Sequence, residues 1–202
     1  MARRAGRTRR DRWSDWAVLG VVVVALLLGW GVKAWAQGQR ATSTNSAVGL
    51  TVHYPKGWLL RQGDASSALF EAVNPASGDF PTTYQVQVLP IDATASVTPT
   101  LSVALNNGAL DRAQEGVAYR LYDVKQGKDV GGQPAMEANY AYVAESSDLF
   151  SQRLPVVVEG LDVAVARGGQ AYLFSLLAAQ ESFAAALPGF REFVQSAEIV
   201  NP

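Results

Sequence analysis

The sequence predicts an α+β domain, an antiparallel β-sheet sandwiched by helices, preceded by one N-terminal transmembrane helix. Three observations predict it: an uncharged apolar stretch near the N-terminus, short period-two apolar runs separated by Gly and Pro turns, and two later segments with apolar residues at helical spacing.

The apolar stretch runs from Trp16 to Ala36, broken only by Lys33. At about 1.5 Å per residue it reaches about 31 Å, the thickness of a hydrocarbon core. Lipid offers the backbone no other partner, so the glycines and the Val21 to Val24 run are held helical there. Trp13 and Trp16 at one end, and Trp30, Lys33 and Trp35 at the other, form the expected membrane-interface positions. Ala25 and Gly29 have the small-xxx-small spacing that seats a partner helix.

Six arginines against two aspartates precede the stretch, and only Lys33 and Arg40 follow closely. The positive-inside rule then places the N-terminus in the cytoplasm and the C-terminal domain outside, at the cell membrane. Ala34-Trp35-Ala36 before Gln37 has the small-x-small form of a signal-peptidase site, and cleavage after Ala36 would release a soluble domain. The length of the segment and Lys33 beside that site favour a retained anchor. The expected organisation is a basic tail over 1–15, an anchor over 16–36, a linker over 37–46 and one domain over 47–202.

From Ala47 onward there are 16 acidic and 9 basic side chains, a balance that excludes nucleic acid as a partner. The absence of cysteine excludes disulfides, thiolate catalysis and zinc–thiolate sites.

Within the domain, Val48 to Tyr54 alternates as a half-buried strand, Pro55-Lys56-Gly57 turns the chain, and Trp58-Leu59-Leu60 starts a second strand. Ala68 to Val73 and Thr83 to Leu89 follow as strands. Thr98-Pro99 supplies an N-cap and first-turn proline for a helix ending near Asp111, with Leu101, Leu105 and Ala109 inward. Tyr119 to Val124 and Ala135 to Val143 read as strands flanking a turn-rich segment. Leu154 to Ala166 and Gln170 to Ala178 flank Arg167-Gly168-Gly169 as a hairpin, with a bulge expected at Gly160. Apolar residues on both faces of Tyr172 to Leu177 mark a central strand. A helix begins at Ser182, Pro188 restarts it, Phe190, Phe193 and Val194 form its stripe, and Ile199-Val200 closes as an edge strand.

The segment Val48 to Trp58, VGLTVHYPKGW, resembles the opening of PsbP-like domains, where a strand enters a Tyr-Pro-x-Gly-Trp turn. Gly132-Gln133-Pro134-Ala135 with Tyr140 and Tyr142 is similar to that family's middle strand. Tyr172-Leu173-Phe174 with Phe183, Pro188, Phe190, Phe193 and Ser196 is similar to its closing strand and helix. Over about Val48 to Val200, the resemblance implies the sandwiched sheet and a non-catalytic accessory role at the outer face of a membrane complex. This chain departs from the family in having its own membrane span. It also offers only His53 where metal-binding members use several ligands, so metal and photosystem roles do not transfer.

The residues themselves point away from catalysis. His53 falls on the polar side of its strand, and no neighbour in sequence orients it as a base. Nucleophile-elbow, zinc-protease, P-loop and dinucleotide motifs are all missing. Gly131-Gly132 reads as a turn. Glu159 and Asp162, with Asp123 and Asp129, are oxygen donors whose spacing matches no calcium loop, and Tyr119, Tyr140 and Tyr142 read as sheet-packing residues. The expectation is therefore a single-pass accessory or stabilising subunit. Its expected partners are the lipid bilayer and a larger membrane complex, of photosynthetic, respiratory or transport type. No catalytic, cofactor or metal site is expected. The alternative is a membrane-tethered module binding a small ligand or ion, or a secreted domain if the leader is removed.

Overall fold

The computed structural model describes residues 19–29, 39–61, 68–78, 80–91, 96–115, 117–144 and 154–200. The chain divides into two compact units, Met1–Arg40 and Ala41–Pro202.

In the first unit, residues 19–29 form a helix, α1, and every one of these side chains is exposed. No helix among the described residues is long and apolar enough to cross a membrane. The expected tail, the interface positions Trp13, Trp16, Trp30, Lys33 and Trp35, and the cleavage site after Ala36 lie outside the described residues. Ala25 and Gly29 lie on α1, and a side chain at Gly29 would meet open space.

The second unit is built on a seven-stranded antiparallel sheet. Its strands are β3 (Leu59–Arg61), β4 (Phe70–Val73), β5 (Thr83–Pro90), β6 (Val117–Gln126), β7 (Ala135–Ala144), β8 (Val156–Arg167) and β9 (Gln170–Ala179), in the order β3-β4-β5-β9-β8-β7-β6. β9 is thus central, as its two apolar faces predict: Tyr172, Phe174 and Leu176 enter one core and Leu173 the other. Gly168 and Gly169 both take positive φ, the type I′ geometry whose twist matches the hairpin strands β8 and β9.

Helix α2 (Val97–Glu115) packs on one face through Leu101, Ala104 and Leu105, against Met136, Ala138, Ala164 and Leu173. Helix α3 (Gln180–Gln195) packs on the other through Phe190, Phe193 and Val194. Phe193 is the hub there, its ring centroid lying 5.1 Å from Tyr84, 5.7 Å from Phe70, 5.9 Å from Phe174 and 6.0 Å from Phe190. Trp58 follows the Pro55–Gly57 turn and lays its ring 4.5 Å from Tyr84, while Tyr54 meets Phe70 at 5.5 Å. The Tyr-Pro-x-Gly-Trp motif therefore delivers two aromatic rings to one core from either side of a turn.

Several expectations are corrected. A second sheet exists, β1 (Arg40–Asn45), β2 (Leu50–Pro55) and β10 (Glu198–Ile199), with β2 in the middle. The segment 37–46, read as linker, thus contains a strand: Thr42 and Thr44 hydrogen-bond across to β2, to His53 at 2.9 Å and to Thr51 Oγ1 at 3.2 Å. Gly160 is no bulge, because β8 stays in register with Tyr140 on β7 and Leu177 on β9. A glycine is required there because the Tyr140 ring occupies the space a Cβ would take. Helix α2 begins at Val97, with Thr100 bonded back to the Ser96 carbonyl, and continues past Asp111. Helix α3 runs unbroken through Pro188. The aromatic stripe beyond the proline is fixed to the sheet, and that packing outweighs one missing backbone bond.

Candidate functional site

Two polar constellations interrupt the apolar faces of the seven-stranded sheet, one under each helix. Under α2, Arg112 Nη1 donates to Asp162 Oδ2 on β8 at 2.5 Å and Nη2 donates to Ser175 Oγ on β9 at 2.9 Å. Tyr140 on β7 donates its hydroxyl to Asp162 Oδ1 at 3.1 Å, and the guanidinium carbon stands 4.9 Å from the centre of the Tyr140 ring. Tyr119 and Tyr142 flank that ring, with centroids 5.6 and 6.5 Å away. The Tyr119 hydroxyl is buried without a hydrogen-bond partner among the described residues.

Burial and mutual charge shift the titration of Arg112, Asp162, Tyr140 and Tyr119 in this cluster. Burial works against the Arg112 charge, but Asp162 first and the tyrosines after it raise the guanidinium above its ordinary range. Burial pushes the Asp162 carboxyl up, while Arg112, Ser175 and Tyr140 pull it back. The Tyr140 phenol is raised well above its ordinary value by burial and then by Asp162, and Tyr119 is raised by the same two causes. Asp162 and Ser175 take the guanidinium's bonds and the side chains of the ion pair are 12% and 2% exposed, so the cluster is a closed clamp between α2 and the sheet.

Under α3 the arrangement is open. Glu137 on β7 points to the α3 face, 5% exposed, and accepts a hydrogen bond from Arg191 Nη1 of α3 at 3.2 Å. Its place is cleared by Gly127, where a side chain would come within 2.6 Å of Glu137 Cγ. Beside it lies a cavity of about 230 Å³, floored by Val130, Val163, Phe190 and Val194 and rimmed by Lys128, Glu137, Arg191 and Glu192. The rim loop is fixed at both sides: Val130 and Gln133 pair across Gly131-Gly132, which both take positive φ, and Gln195 Nε2 donates to the Asp129 carbonyl at 3.1 Å. Gly131-Gly132 is therefore the turn its sequence predicts.

The residues weighed for chemistry from sequence do not converge. His53 hydrogen-bonds through Nδ1 with Thr42 of β1 at 2.9 Å, a partner invisible while 37–46 reads as linker. Asp162 faces α2, three positions from Glu159 and thus on the opposite side of β8. Asp123 accepts from Lys125 at 2.7 Å and from Asn139 at 2.6 Å, which hold its carboxyl below the usual range. Among the described residues no group of three metal-ligating side chains converges. Glu137 and Arg191 lie 54 positions apart, and no local sequence pattern links them. The signal for Glu137 was an acid within the run Ala135 to Val143, at a parity shared with buried Ala135.

No protein-family model and no curated protein sequence matches the chain. Among solved structures, the cyanobacterial PsbP protein (CyanoP) of Synechocystis sp. superposes with a TM-score of 0.59 at 15% identity, covering 80% of this chain and 92% of its own. LpqN of Mycobacterium tuberculosis, involved in cell envelope biogenesis, superposes with a TM-score of 0.52 at 14% identity, covering 81% and 91%. At such identities the likeness shows the fold: the domain is PsbP-like, with antiparallel sheets and helices.

Proposed function

We propose that the chain is a single-pass membrane protein, N-terminus cytoplasmic, whose PsbP-like domain acts outside the membrane as an accessory subunit of a larger membrane complex. The observation that carries this reading is α1. Leu19, Val21, Val22, Val23, Val24, Leu26, Leu27 and Leu28 all point outward uncovered, from 47% to 70% exposed. A helix apolar all round needs an apolar surrounding, and a bilayer supplies one. The arginine-rich residues before it and the acidic domain after it fit an anchor with its N-terminus inside. The closed polar clamp and the lack of a nucleophile–base pair in either constellation fit a role in assembly rather than in catalysis.

Pull-down from native membranes through a C-terminal tag, with intact mass of the recovered chain, tests this. Full-length mass with co-purifying membrane subunits is expected. Recovery of the chain alone, beginning at Gln37, overturns both anchor and subunit.

A second reading, a tethered module that binds a small ligand, is favoured by the cavity beside Glu137.

A further inference from the structure

We propose that the α3 cavity binds a small zwitterion with an apolar side chain, of the class of the branched-chain α-amino acids. This rests on the binding-module reading and names the ligand chemistry of that site. The volume sets the size: about 230 Å³ lies below the roughly 300 to 1,000 Å³ of pockets for drug-sized ligands, so the ligand is small. Four apolar side chains form the floor, so part of the ligand is hydrocarbon.

The rim decides the charge. Lys128 and Arg191 bring two cations and stand beside the buried carboxylate of Glu137, so the lining carries both signs. A simple anion would face the buried Glu137 carboxylate, and a simple cation would face Lys128 and Arg191. A zwitterion meets both. Arg191 spends only Nη1 on Glu137, and Lys128 makes no ion pair among the described residues, so donors remain for a ligand carboxylate. Glu137 is more than nine-tenths buried and fixed by the Gly127 clearance, which sets a charged acceptor in place for a ligand ammonium. Arg191 is half exposed, and its single contact to Glu137 yields readily to a ligand that offers its own ammonium.

The test is calorimetric titration of the purified full chain in detergent with L-leucine, with isocaproate, which lacks the ammonium, and with isoamylamine, which lacks the carboxylate. Leucine is expected to bind, each analogue about tenfold or more weaker, since a lost charged hydrogen bond costs about 1.5 to 3 kcal/mol. Glu137→Gln, nearly isosteric, should lower leucine affinity by a similar factor while leaving isocaproate unchanged. Lys128→Ala, at an exposed position without an ion pair among the described residues, should do so without loss of folding, and should leave isoamylamine unweakened. Binding of one analogue as tightly as leucine overturns the zwitterion and leaves the module reading standing. Binding of none of the three overturns the zwitterion. If a broad thermal-shift screen of lipids and ions also moves nothing, the module reading falls with it.

Discussion

The Arg112 guanidinium of α2 and the Asp162 carboxylate of β8 meet at 2.5 Å with almost no access to water. Removing one partner leaves a buried charge alone, whereas removing both leaves none. Arg112→Met and Asp162→Asn should therefore each destabilise the domain by about 3 to 5 kcal/mol, and the double variant by clearly less than their sum. Urea unfolding of the four proteins measures the coupling, and simple additivity would contradict the clamp.

Tyr140 gives that clamp a pH signature. Its folded pKa lies well above the unfolded value of about 10, so the associated stability is whole below about pH 10 and falls as pH rises beyond it. By about pH 11 the unfolded chain gains about 1.4 kcal/mol from ionising this phenol, a gain Tyr140→Phe cannot make. Between about pH 9 and 11 the wild-type urea midpoint should drop further than that of Tyr140→Phe. Parallel decline in the two proteins would show that Tyr140 ionises as freely when folded.

Gly160 makes the same packing visible from the backbone side. Gly160→Ala puts a methyl into the Tyr140 ring and should cost about 1 to 3 kcal/mol, with the thermal midpoint falling accordingly. Gly78→Ala, where a side chain meets open space, is the control and should move the midpoint little.

On the opposite face, Phe193 contacts four other aromatic rings and is completely covered. Phe193→Ala should cost about 3 to 5 kcal/mol, read as a lower urea midpoint with the slope retained. A loss below about 1 kcal/mol would mean that α3 is held chiefly by something else.

The parts of this fold readable in advance are those whose apolar residues repeat with a clean period. β9 betrayed its central place because Tyr172, Phe174 and Leu176 oppose Leu173 across one strand, and Phe190, Phe193 and Val194 located the buried stripe of α3. β1 was hidden because Arg40-Ala-Thr-Ser-Thr-Asn45 pairs through backbone and hydroxyl groups and shows no apolar alternation. Helix α2 outran its expected end because its last turn is held from a distance, by Asp162 fifty positions onward. The cavity was harder still. Its members come from β7, β8, α3 and the 127–133 loop, and no local pattern announces that Glu137 and Arg191 will meet. Gly160 shows the opposite error, a local irregularity read as a backbone defect when its cause was a ring on the neighbouring strand.

The three-stranded sheet joins the two ends of the domain. β2 lies between β1, just ahead of it in the chain, and β10, which follows α3, with Leu50 paired to Ile199 and Thr51 to Glu198. Such pairing between distant positions is slow, since loop closure precedes any reward. During synthesis the seven-stranded sheet has all its strands once Ala179 has emerged, while Leu50 and Thr51 keep an open edge until Glu198 and Ile199 have emerged. Closure of this sheet therefore waits on Glu198 and Ile199, and a nascent chain stalled before them carries an unfinished edge that quality-control proteases and chaperones are able to recognise.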